Sequence, residues 1–260
     1  MRLAVTAVGQ AGAGRPPVVL LHGLLGAGQN FGAVQKALAA RGHRVLALDL
    51  RNHGNSPHAE GMAYAAMAAD VAETLAGEAA LPAAVIGHSM GGKVAMALAL
   101  ARPASVARLL VADIAPVAYP APSFIAYLAA MRALALVPGL ARRDADAALA
   151  AAVPEAPLRA FLLQNLIFAE NPPRWRIGLE EITRGMGDIG GWPELPGRYD
   201  GPVFVLAGDR SDYILPDHHA AFRRLFPAAR FASVAAGHWL HAENPSAFLA
   251  AAAAFLEEAA

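Results

Sequence analysis

The chain has 260 residues, enough for one sizeable core and too few to demand two independent domains. Its 21 basic and 21 acidic residues cancel, so it offers no field to hold a polyanion, and no nucleic-acid partner is expected. The absence of cysteine excludes disulfides, thiolate nucleophiles and Cys-ligated metals, and a composition 56% hydrophobic and 16% charged excludes a disordered chain.

Residues 1–6 read as a first strand and lack the longer apolar stretch of a signal peptide. Short apolar runs then recur at Val18–Leu21, Val45–Leu48, 84–86, 109–111 and 203–206. None of them alternates with polar residues, which is the pattern of strands buried on both faces of a parallel sheet. Between two of these runs, Tyr64, Met67, Val71 and Leu75 fall on one helical face. After Ile114 the rhythm breaks, and residues 116–202 read as helices only. These are 124–136, then 144–153 with Asp144 as its cap, then 158–168, then a stripe of Trp175, Leu179, Ile182 and Met186. The longest apolar stretch, 124–141, is interrupted by Arg132 and Pro138, so no membrane span is expected and the cytoplasm is the default location. The pattern predicts an α/β fold with a mostly parallel central sheet flanked by helices. Residues 1–115 and 200–260 would form the core, and 116–199 a helical cap over the sheet's carboxyl edge, where such sheets bind ligands.

The run at 84–86 leads into Gly87-His88-Ser89-Met90-Gly91, and a helical run follows. This is G-x-S-x-G in the strand–turn–helix context that the nucleophile elbow requires. A serine at the tip of so sharp a turn needs very small flanks, and the helix start aims backbone N–H groups at a developing oxyanion. The rival reading, a phosphate loop Gly87-x-x-x-x-Gly92-Lys93, lacks the Ser or Thr that would hold magnesium, because Val94 follows. The run ending at Leu21 continues as His22-Gly23-Leu24, so the N–H groups of Leu24 and Met90 are the expected oxyanion donors.

In this fold the base comes last in the chain, and His238 in Gly237-His238-Trp239 follows the last apolar run. The acid has three candidates, Asp113, Asp209 and Asp212. In many such enzymes the acid lies three residues after a glycine beyond the strand at 203–206, but here that position is Ser211. Asp113 instead ends the run that follows the elbow unit. Phe124, Tyr127, Leu128, Phe161, Leu162, Trp175 and Trp239 are available as apolar walls of a substrate cleft. Asp217-His218-His219 reads as a solvated face rather than a metal cluster, since adjacent helical residues point apart.

Several stretches together resemble the YbfF-type bacterial esterases of the α/β-hydrolase superfamily, close to the mitochondrial abhydrolase-domain hydrolases. They are Leu20 through Gly26, Gln29-Asn30-Phe31, Asp49 through His58, Gly87 through Lys93, Asp113 through Val117, and Gly237 through Glu243. The resemblance implies Asp113 as the acid beside Ser89 and His238. It implies short-to-medium acyl esters, thioesters among them, as small-molecule substrates, and neither metal nor cofactor. The segment from Asp49 to Ser56 is expected to brace the loop near the oxyanion hole. The fold also hosts C–C bond hydrolases, lyases and cofactor-free haloperoxidases, and a ligand receptor with a residual triad is the alternative from outside enzymology.

Overall fold

The computed structural model describes residues 1–10, 12, 14–120 and 122–258, and in it the apolar runs become the inner strands of one sheet. The first half of the chain gives β1 (Val5–Val8), β2 (Val18–Leu21), α1 (Gly32–Ala40), β3 (Val45–Leu48), α2 (Tyr64–Gly77), β4 (Ala83–His88), α3 (Met90–Ala101) and β5 (Val106–Ala112). The inserted stretch gives α4 (Pro122–Ala133), α5 (Arg142–Leu149), α6 (Ala156–Leu162), β6 (Leu166–Ile167), β7 (Arg174–Trp175), α7 (Leu179–Arg184) and α8 (Met186–Gly190). The chain then closes with β8 (Val203–Gly208), α9 (His218–Leu225), β9 (Ala229–Val234), α10 (Leu240–Glu243) and α11 (Pro245–Glu257).

The sheet order is β1-β3-β2-β4-β5-β8-β9, with β1 antiparallel to β3 and every other pairing parallel. Why the inner strands do not alternate is plain from where their side chains go. Val19 and Leu21 of β2, Leu46 and Leu48 of β3, and Leu109 and Val111 of β5 enter the core under α2 and α3. Their neighbours Val18, Leu20, Val45, Ala47, Leu110 and Ala112 enter a second core with Phe31 and Phe248 on the opposite face. Both faces are covered, so both sets must be apolar.

Four expectations are corrected here. The first strand starts at Val5 rather than Met1, because the Leu3 amide is drawn away to Thr74 Oγ on α2 (2.9 Å). The stretch 116–202 is not all helical: β6 and β7 form a two-stranded antiparallel ladder, and Trp175 lies on β7 rather than on a helix. The helix expected at 158–168 accordingly ends at Leu162. Asp144 does not cap α5. The N-cap is Ala141, and Asp144 sits in the first turn, where a carboxylate still favours the helix dipole. Among the described residues no helix is long and apolar enough to cross a membrane.

Candidate active site

Five strands deliver their next residues to one edge of the sheet. Leu24 follows β2, Ser89 follows β4, Asp113 follows β5, Ser211 follows β8 and His238 follows β9. This is the carboxyl edge, where side chains from separated parts of a chain converge.

Ser89 sits between β4 and α3 with φ 53° and ψ −123°, a conformation that a non-glycine residue rarely adopts. The flanking glycines are required by space. A Cβ on Gly87 would collide with the Gly91 carbonyl, and one on Gly91 would collide with the carbonyl of Leu21 on the neighbouring strand. The turn therefore forces the Ser89 side chain out over the sheet edge. Its Oγ lies 3.0 Å from Nε2 of His238. Nδ1 of the same ring lies 2.8 Å from Oδ2 of Asp113. A carboxylate can only accept, so the network assigns the ring proton to Nδ1 and leaves Nε2 to accept from the serine hydroxyl.

Asp113 is fully buried and also has a positive φ, 52°. Its charge is distributed over three donors: the His238 ring, the Gly208 amide at 3.0 Å, and the Ser211 hydroxyl in a short hydrogen bond. Ser211 is the position at which the more common arrangement would carry the acid itself. Of the other candidates, Asp212 is exposed, and Asp209 accepts from the Ala236 amide and pairs with Arg210. The His238 ring is held in place by Tyr213, stacked on it at 3.9 Å, and its backbone carbonyl accepts from His88 Nε2 at 2.8 Å.

The loop after β2 is fixed from below by a second set of histidines. His22 Nδ1 donates to the Gly23 carbonyl (2.8 Å) while Nε2 accepts from the Leu50 amide (2.9 Å). His53 Nδ1 donates to the Arg51 carbonyl (2.8 Å) while Nε2 accepts from the Leu25 amide (3.1 Å). Each ring nitrogen that accepts must be unprotonated, and burial agrees with that: His22 is pushed down to about 4 and His53 to about 3. Asp49 accepts from the Gly28 amide at 2.7 Å, so the segment from Asp49 onward braces the loop that presents Leu24. The N–H groups of Leu24 and Met90 donate to no other group among the described residues, and both residues line one small cavity with Ser89.

That cavity measures about 50 Å³. Its walls on the inserted stretch include Pro120, Phe124, Met186 and Ile189. Of the wall residues expected from the sequence, Phe124 lines it, with Tyr127 packed edge-on behind at 5.9 Å. Phe161 and Trp239 border a neighbouring cavity instead, together with His22, Gly23 and His241. Leu128 and Leu162 are buried in the core, and Trp175 packs between that core and a small cluster that includes Leu149 and Leu163. His241 turns to Phe31 and His88, with ring centroids at 4.6 and 4.8 Å. His219 is not solvated on both faces; its ring stacks on Phe231 at 3.9 Å. Reasoning from sequence missed Lys93, Tyr64, Tyr119 and Tyr213, all of which line the cavity with Ser89. Only the position of Lys93, one helical turn beyond Ser89, carried a signal that pointed to it.

Comparison with known proteins shows the family and the fold. The family described as the alpha/beta hydrolase fold matches residues 16–245. The chain is 43% identical over 248 residues to an sn-1-specific diacylglycerol lipase of Mus musculus, covering 93% of this chain and 81% of that protein. It is 35% identical to the esterase YbfF of Escherichia coli, covering 93% of each. Among solved structures it superposes on a marine microorganism esterase with a TM-score of 0.92 and 32% identity, covering 98% of this chain and 99% of the other.

Proposed function

The chain belongs to the α/β-hydrolase family and is an enzyme of the esterase class, and from that premise we propose that it is a serine carboxylesterase acting through Ser89, His238 and Asp113. The observation that carries the reading is the pair of contacts on one imidazole, 3.0 Å to the Ser89 hydroxyl and 2.8 Å to a buried carboxylate.

The chemistry follows from those positions. His238 Nε2 takes the Ser89 proton as Oγ attacks the acyl carbon. The carbonyl oxygen gains a negative charge and accepts hydrogen bonds from the Leu24 and Met90 amides. His238 hands its proton to the departing alcohol or thiol as the bond to the acyl carbon breaks. Water repeats the sequence on the acyl-enzyme and releases the acid. Asp113 holds the proton on Nδ1 throughout and stabilises the transient imidazolium.

Residues 116–199 act as a cap over a core made of 1–115 and 200–260. Pro120, Phe124, Met186 and Ile189, which share a cavity with Ser89, support that assignment. A water needs roughly 10–15 Å³ of such volume, so about 50 Å³ suits a short acyl chain. Trp239, beside His238 and over a third exposed, borders the side on which the alcohol leaves. A fluorophosphonate probe should label one residue, and Ser89→Ala should abolish both labelling and hydrolysis of a simple aryl ester. Persistent labelling of the variant would overturn the assignment.

A further inference from the structure

The cavity that holds Ser89 also holds a buried cation that ester cleavage does not use. Lys93 is in the first turn of α3, its amide donates to the Ser89 carbonyl at 3.2 Å, and both residues line the same cavity. Its residue is 1% exposed. The ammonium donates once, to the Gly191 carbonyl at 2.6 Å. It lies 4.9 Å from the ring centroid of Tyr119 and 5.4 Å from that of Tyr64.

Neither phenol oxygen accepts from it, since the Gly191 carbonyl is its one hydrogen-bond partner among the described residues. The Tyr64 hydroxyl donates to the Ile189 carbonyl, and the Tyr119 hydroxyl donates to the Tyr213 carbonyl while accepting from the Ala115 amide. No carboxylate pairs with Lys93 among the described residues. An ammonium has three donors. Two of them are therefore free of any hydrogen-bond partner, in the cavity into which the acyl group must go.

From this geometry we infer that Lys93 is a specificity-determining residue, which selects acyl groups whose far end carries a carboxylate. The inference rests on the esterase reading of Ser89 and adds the substrate class. An incoming carboxylate would supply the missing counter-charge and accept the unspent N–H groups, a charge-assisted contact stronger than that between neutral groups. The separation of one helical turn, spanned partly by the lysine stem, suits an acyl chain of a few carbons.

Burial pulls Lys93 down to about 7 from its ordinary value. The ammonium is therefore present below that pH and lost above it. The titratable groups facing Lys93 are Tyr64 on α2, Tyr119 after β5 and Tyr213 after β8, with Asp188 of α8 acting on Tyr64. Burial raises all three phenols, so none of them ionises between pH 6 and 9. The substrate carboxylate is ionised throughout that range.

The test compares monoethyl succinate with ethyl butyrate across pH 6 to 9. Changes at His238 affect both esters alike and cancel in the ratio of their kcat/KM values. That ratio should favour the anionic ester at pH 6 and fall as pH rises through about 7. The fall should be on the order of tenfold to a hundredfold, the usual strength of a hydrogen bond to a charged group. In Lys93→Met the ratio should be low and flat with pH. A flat ratio in the unaltered enzyme overturns the proposal even if that variant does not fold. Calorimetric binding of the two esters to Ser89→Ala provides a readout independent of turnover, and equal affinities at pH 6 would also overturn it. Failure of the esterase reading looks different, since the unaltered enzyme would then cleave neither ester.

Discussion

The two halves of the cavity around Ser89 are built by different rules. The half made by the sheet edge is held by buried hydrogen bonds to named partners: His22 to Leu50, His53 to Leu25, His88 to the His238 carbonyl, and Asp113 to Gly208. The half made by the inserted stretch is a surface of Pro120, Phe124, Met186 and Ile189 on short helices and loops. Its ties to the core lie mostly away from those walls and include Asn165 to the Leu25 carbonyl, the Gly178 amide to that of Asn52 and Arg176 to Asn55, with Tyr64 to the Ile189 carbonyl and Lys93 to that of Gly191 nearer the cavity. Directional bonds fix atoms to within a fraction of an ångström, which bond-making requires. Apolar packing fixes only shape and volume, which is sufficient for choosing among acyl groups. Substitutions in the first half should damage turnover of every substrate, and those in the second should redistribute activity among substrates.

The largest expected effect lies at Asp113, the proposed acid. Asp113→Asn preserves shape but removes the charge that fixes the His238 tautomer, and losing that orienter costs as much as about 10⁴ in kcat. The loss should be the same for short and long esters. Asp212→Asn, at an exposed position, should stay near the unaltered rate. Melting curves on both proteins separate catalysis from folding. The opposite ranking would move the acid to the loop after β8.

Acid should break the first half before the second. His22 and His241 are held near 4 and His53 near 3, in each case chiefly by burial. The native rings stay neutral while those of the unfolded chain take up protons below about 6.5. The unfolded state then binds more protons, so stability is complete above about 6.5 and falls as pH drops toward the native values. By pH 5 each ring contributes a loss of about 2 kcal/mol. The melting temperature should fall by more than about 10 °C between pH 7 and 5. A constant value across that interval would mean that the rings are not held neutral.

A smaller effect is expected at Ser211, which donates to the Asp113 carboxylate and does not line the cavity around Ser89. Ser211→Ala leaves the carboxylate two of its three donors, and a hydrogen bond to a charged group is worth on the order of tenfold. The expected result is a decrease of roughly that size in kcat with KM little changed. An effect on KM alone would mean that Ser211 shapes the cavity rather than the acid.

The same contrast explains what could be read from the sequence. β2, β3 and the elbow were legible because burial on both faces and a crowded turn each leave a local pattern, in Val18–Leu21 or Gly87 to Gly91. Asp113 was harder to identify, because its partners Gly208 and Ser211 come from a strand nearly a hundred residues away. The inserted stretch was read least well. Strands of two residues, such as Leu166–Ile167 and Arg174–Trp175, carry no period, and Trp175 fell by chance on a helical stripe with Leu179 and Ile182. The cavity role of Lys93 was hidden inside a helix whose other neighbours are all core.

The smallest effect tests the second half alone. Phe124 lines the cavity, whereas Trp175 packs away from it, between the core and the cluster that includes Leu149 and Leu163. Phe124→Ala removes apolar wall and enlarges a space of about 50 Å³, so longer acyl chains gain room and burial that they lacked. The ratio of kcat/KM for a hexanoate to that for an acetate should rise by a few-fold, since each added buried methylene is worth roughly 0.8 kcal/mol. Acetate turnover should change little, because the atoms around Ser89 are held from the sheet side. Trp175→Ala should lower the melting temperature and leave the ratio where it was. If Trp175→Ala shifted the ratio and Phe124→Ala did not, the inserted stretch would be shaping the cavity through its own fold, and the division between its lining and its interior would fail.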